Sequence, residues 1–222
     1  MQKKLYPDNI IAYDILASFH SMNDKFEKEI DEYKAVVTLY EGKLKDNYDI
    51  ARYLIKIAQV YKNKLKNFNE SKYYVREFLS YYPEESYAYE ILGDIYSYEG
   101  DYKKSKEMYE LALTLDPGNI GLMCSIEWHK SEDGLERIDD ISKILNKCKT
   151  IQDSAEVYIK ISILNRQYGR LKQTIENNDK ALELKKKYDS FMFYFGRYYF
   201  NAVNYARIGK NDKGLEVIKK LE

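Results

Sequence analysis

The sequence predicts an all-α chain of short antiparallel helix pairs repeated along its length. Three observations predict it. Gly (10) and Pro (3) are scarce among 222 residues while 32% are charged, a balance that suits long amphipathic helices better than a turn-rich sheet protein. Apolar residues recur at spacings of three and four, as in Ile91, Leu92, Ile95 and Tyr96. The same order of large and small residues then returns at a fixed interval, the mark of a repeat architecture.

The clearest copy spans residues 86–119. Its first helix ends at Gly100, Asp101 caps the next start, Tyr102 to Leu115 carry a second apolar stripe, and Pro117 stops it. Counted from Ser86 as position 1, Tyr89 stands at 4, Leu92 at 7, Gly93 at 8, Tyr96 at 11 and Gly100 at 15. Tyr102 follows at 17, Ser105 at 20, Tyr109 at 24, Ala112 at 27 and Pro117 at 32. Small residues at 8, 20 and 27 let two helices approach, and large ones at 4, 7, 11, 17 and 24 fill the space to the next pair. This pattern resembles the tetratricopeptide repeat, with Ser in place of Ala at position 20. The resemblance implies a right-handed superhelical array of antiparallel helix pairs, in which stacking is obligatory because one pair cannot cover its own apolar faces.

Other copies are found in the same register. The first pair (10–50) starts at Ile10 and places Tyr13, Leu16, Ala17, His20, Phe26, Tyr33 and Val36 at signature positions. The second (51–85) starts at Ala51 with Leu54, Ile57, Ala58 and Tyr61, then needs one extra turn residue before Phe68, Ser71, Val75, Phe78 and Pro83. The fourth (120–154) is degenerate, with Glu127 where a small residue belongs. The fifth (155–194) carries Tyr158, Ile161, Ser162, Gly169, Leu171 and Ala181, and the sixth (195–222) Tyr198, Ala202, Tyr205, Gly209 and Gly214. Residues 1–222 thus read as one array of about six pairs. Extra residues before Ala51 and before Phe195 are expected to lengthen the preceding second helices. Arrays need polar capping helices, so the ends leave three readings open: a fragment of a larger protein, a self-associating end, or a last helix made polar outside by Lys213, Glu216, Lys219 and Lys220.

Little in the chain suggests chemistry. Only His20 and His129 could serve as imidazole bases or ligands; His20 sits at a packing position, and His129 has no companion ligands at metal spacing. Cys124 and Cys148 lack CxxC spacing and read as ordinary thiols, with a disulfide or metal site as the alternative. No phosphate-binding, dinucleotide-binding or nucleophile-elbow motif occurs. The acid pairs Glu84-Glu85 and Asp139-Asp140 lie among Lys and Arg, and nothing in the pattern isolates a carboxylate from solvent. The expectation is a protein that is not an enzyme and needs neither cofactor nor metal.

Lys+Arg and Asp+Glu balance at 36 each, so no overall field would hold a polyanion, and nucleic acid is not an expected partner. The aromatic run at 191–200 (FMFYFGRYYF) and the basic run Lys185, Lys186 and Lys187 read as packing and as a solvated helix face. No apolar run is long enough to insert into a membrane. The start MQKKLYPDN has no signal-like apolar core, which favours the cytoplasm, or the periplasm if an export signal has been trimmed.

The resemblance further implies a concave groove lined by first helices, open to a protein or peptide partner. Its positions 2, 5, 6, 9, 12 and 13 include Arg52, Lys56 and Gln59 in the second pair and Tyr87, Glu90, Asp94 and Tyr98 in the third. Ser125 and Trp128 follow in the fourth, Lys160, Ile163 and Arg166 in the fifth, and Tyr199 and Arg207 in the sixth. Trp128, the lone Trp, is the best single anchor. Positions 5 and 9 read Asp14/Ser18, Ile55/Gln59 and Glu90/Asp94, so the Lys/Asn/Arg set with which some family members grip a C-terminal carboxylate is missing. The expected function is a non-catalytic scaffold or adaptor. The alternatives are the ligand-sensing part of a transcription regulator, an accessory module of a larger enzyme, and an RNA-binding helical repeat.

Overall fold

A computed structural model describes residues 9–40, 48–129, 134–185 and 201–219, and among them no strand occurs. The chain divides into two compact halves, Met1–Asp116 and Pro117–Glu222. In the first half α1 (Ile10–Met22) pairs with α2 (Phe26–Tyr40), α3 (Tyr48–Val60) with α4 (Phe68–Tyr81), and α5 (Ser86–Tyr98) with α6 (Tyr102–Leu115). Successive pairs touch through α2 with α3 and α4 with α5. The second half holds α7 (Ile120–Trp128), α8 (Gly134–Lys143) with a 3-10 turn at Ile144–Lys147, α9 (Ile151–Gln167), α10 (Leu171–Lys185), helical residues 201–207 and α11 (Asn211–Ile218).

Side-chain caps begin many of these helices, Asp101 among them as the sequence predicts. Asn9, Asn67, Asp101 and Asn119 each accept a backbone N–H of the first turn of α1, α4, α6 and α7. Thr150 and Asp153 form a reciprocal capping box at α9. The turns inside the first, second, third, fifth and sixth pairs follow one rule. Position 15 takes a left-handed conformation at Gly100 (φ 80°), Gly169 (φ 69°) and Gly209 (φ 74°), and at Asp24 and Lys66 (both φ 54°). Glycine meets that demand without a Cβ penalty, and Asp24 and Lys66 do not.

The extra residue of the second pair lies within the first helix, not in the turn. After Val60 the helix widens into a π turn at Tyr61–Leu65, which absorbs one residue and returns Lys66 to the left-handed position. Of the spacer before Ala51, Tyr48 to Ile50 belong to the following first helix, and residues 44–47 lie outside the described residues. The spacer before Phe195, together with Tyr198 and the 191–200 run, lies outside the described residues, as do Lys186 and Lys187.

Small residues hold the second and third pairs together. Ser71 Oγ donates to the Ala58 carbonyl and Ser105 Oγ to the Gly93 carbonyl, both at 2.8 Å, joining positions 20 and 8. A Cβ on Gly93 would fall 2.6 Å from the Tyr109 ring, so glycine is required there by close approach. Between pairs of the first half, Tyr53, Leu54, Ile57, Ile91 and Ile95 are buried in one continuous apolar cluster. In the second half a smaller cluster joins Ile120, Cys124, Ile141, Ile144, Val157, Ile161 and Leu164.

Candidate functional site

In the first half the first-helix face is polar and internally bonded. Asp14 of α1 accepts from Lys56 Nζ at 2.7 Å and from the Tyr53 hydroxyl at 2.8 Å. Arg52 donates to the Tyr53 oxygen at 3.3 Å and lies over that ring. Gln59 donates to the Tyr87 hydroxyl oxygen. Lys62 donates to Asp94 at 2.5 Å, and the Tyr109 hydroxyl donates to the other Asp94 oxygen at 2.8 Å. Five predicted groove residues, Arg52, Lys56, Gln59, Tyr87 and Asp94, are therefore brought into one row that ties α1, α3 and α5 together. Glu90 is half-buried beside them, while Tyr98 is exposed and stacks on Phe68 at 5.6 Å.

This row ends at a cleft of about 180 Å³ lined by Glu29, Tyr33, Lys56, Gln59, Val60, Asn63 and Lys64. Its floor holds a carboxylate that the sequence pattern does not anticipate. Glu29 occupies position 20, where other pairs have Ser71 and Ser105, and is only 7% exposed. One of its oxygens accepts from the Tyr33 hydroxyl at 3.3 Å; the other, Oε2, is buried and has no partner. The expectation that no carboxylate is withdrawn from solvent is corrected here. Burial, then the Glu29 charge and its hydrogen bond, hold the Tyr33 phenol well above its ordinary pKa, so it remains a donor. Burial does the same to Tyr53, reinforced by Asp14.

Position spacing could have flagged Glu29, as a large acidic residue where a small one belongs. Asp14 and Asn63 stand at groove positions 5 and 13, whereas Tyr53 and Lys64 carry no comparable signal, because their roles come from contacts between helices distant in sequence.

The second half treats its candidates differently. Trp128 is half-buried and packs against the cluster around Cys124 and Ile161. Ser125, Lys160 and Ile163 are half-buried, and Arg166 and Arg207 are exposed. Tyr199 lies outside the described residues. Burial pushes the Cys124 thiol up to about 12, so it is protonated and not a ready nucleophile at neutral pH. Cys124 and Cys148 are both free thiols, which removes the disulfide alternative. At the fifth pair, Ser162 donates to Asn178, Asn178 to Asn201 and Asn201 to Asp179, at 2.7, 2.8 and 2.7 Å, in a largely buried polar chain. No described helix is long and apolar enough to cross a membrane.

Residues 86–119, the pair in which Gly93 meets Tyr109 and Ser105 meets the Gly93 carbonyl, match the family model of the tetratricopeptide repeat. This segment is a tetratricopeptide repeat. Solved structures extend the likeness beyond that segment at the level of fold. A tetratricopeptide repeat protein from Parabacteroides merdae is 15% identical with a TM-score of 0.53, over 94% of this chain and 78% of that one. A MamA double mutant is 13% identical with a TM-score of 0.52, over 82% of this chain and 97% of that one. No curated protein matches the chain. The tetratricopeptide repeat register also accounts for the left-handed position 15 in the pairs on either side of 86–119 that lie within the described residues.

Proposed function

We propose that the chain is a non-catalytic interaction scaffold that holds a segment of a protein partner along the first-helix face of its first half. The cleft beside α3 carries this reading, because it joins a partnerless buried acceptor, Glu29 Oε2, to exposed polar side chains at Asn63 and Lys64. Such a mixed lining suits an extended segment held by a few polar contacts. The tetratricopeptide-repeat fold supports a protein partner.

Lys56 is a poor probe of the cleft, since Lys56→Glu would place a second acid against Asp14. Asn63 and Lys64 are exposed and take no part in the row that joins α1, α3 and α5. The test is affinity capture from source-cell lysate, read by mass spectrometry, with the wild type beside an Asn63→Arg, Lys64→Glu variant of unchanged helical circular dichroism. A protein held by the wild type and lost by the variant supports the cleft. Equal recovery by both removes it.

A further inference from the structure

The exposed side of α1 carries a different kind of surface. Ile11, Ile15, Phe19 and Met22 are 68, 56, 56 and 85% exposed and follow one another at spacings of four, four and three, a single stripe along the helix. The exposed residues of α1 are these four and Ser18, none of them charged. Its one acid, Asp14, is already paired with Lys56. In a chain with 32% charged residues, an uncharged helix face of this length is out of character.

The repeat register says what kind of neighbour it lacks. Ile15 and Phe19 occupy positions 6 and 10. In the third pair those positions are Ile91 and Ile95, 1% and 0% exposed, and in the second pair they are Lys56, half-buried, and Val60, 7% exposed. Pairs two and three each have a helix packed in front of them, α2 on α3 and α4 on α5. The α1 face therefore continues an interface that the chain elsewhere closes with a helix.

We propose that a second copy of this chain closes it, through antiparallel pairing of the two α1 helices about a two-fold axis. The stripe is self-complementary in that arrangement: Ile11 meets Met22 of the second copy and Ile15 meets Phe19 of the second copy, with the axis near residue 17. A two-fold interface requires this reciprocity, and the absence of charge means that like meets like without repulsion. The stripe spans about 16 Å of helix. The four side chains offer on the order of 500 Å² per copy, so the pair buries about 1,000 Å², at the low end for specific interfaces. The dimer is accordingly weak and concentration-dependent.

Sedimentation velocity of the full chain from low micromolar to millimolar concentration tests it. The mass should rise from 26.4 kDa to twice that value. Phe19→Asp should stay monomeric throughout with unchanged helical circular dichroism. A Ser18→Cys, Cys148→Ser variant, whose new thiol lies next to the axis, should form a disulfide-linked dimer on mild oxidation in the range where the wild type doubles. A single mass at every concentration overturns the proposal, and so does doubling that survives Phe19→Asp. Doubling without the Ser18→Cys cross-link overturns the α1–α1 pairing and points to a different contact. Should Phe19→Asp lose its helicity, the wild-type masses and the cross-link decide alone, since Ser18→Cys leaves the apolar stripe intact.

Discussion

Two side chains show how burial sets the behaviour of a single residue. Glu29 fills a position that in the second and third pairs takes a serine whose hydroxyl bonds the facing helix, and its Oε2 is buried without a partner. An unsatisfied buried polar group costs about 1–3 kcal/mol, and more when charged. Glu29→Ser should therefore raise stability by at most about 1–3 kcal/mol, less what is lost when the Tyr33 hydroxyl loses its acceptor, seen as a higher midpoint in urea unfolding. A lower midpoint would show that the carboxylate is stabilised by its surroundings. His129 illustrates the opposite charge. Burial, then Arg137 and Lys160, lower its pKa below the ordinary 6.5. The unfolded chain thus binds the proton before the folded one, and stability falls as pH drops through about 6.5 until the folded pKa is reached. Thermal melts between pH 7.5 and about 5 should show that decline, and His129→Gln should flatten it.

At the scale of elements, the described turns inside the pairs are the most regular feature. Gly100, Gly169 and Gly209 occupy the left-handed position, and Lys66 occupies it too, after a π turn has taken up the inserted residue. A left-handed conformation costs a non-glycine residue about 1–2 kcal/mol. Lys66→Gly should recover about 1 kcal/mol, less whatever is lost when Lys66 leaves the face of Tyr98. Chemical denaturation measures it, and a variant less stable than the wild type would show that the ring contact outweighs the backbone strain. The insertion itself was legible as a count of one; its placement was not. A π turn keeps the backbone hydrogen-bonded where a longer loop would leave groups exposed, and that preference is expressed only once α3 and α4 pack.

For the whole molecule, the two halves carry separate apolar clusters. Among the described residues, the first runs from Tyr13 through Ile57 to Ile95, with Met108 packed against it. Repeat arrays derive their stability from each pair and its immediate neighbours. A fragment of residues 1–116 should therefore fold alone, with helical circular dichroism and a cooperative melt. A fragment that is unstructured or melts without a transition would show that the first half needs the second.

The amino-acid sequence by itself determined the helical class, the register of the pairs, the capping residues and the need for small side chains at Gly93, Ser71 and Ser105. These are local properties, written in spacings within about 34 residues. The resemblance to the tetratricopeptide repeat, carried by that register, also implied that Arg52, Lys56, Gln59, Tyr87 and Asp94 share one face. Only the tertiary structure decided that those five hold neighbouring helices together, that Trp128 packs against a core, that Glu29 is sealed beneath a cleft, and that the α1 stripe is left uncovered. Each of these depends on which side chains from distant segments meet and on how much water they exclude. Periodicity within one helix does not encode that.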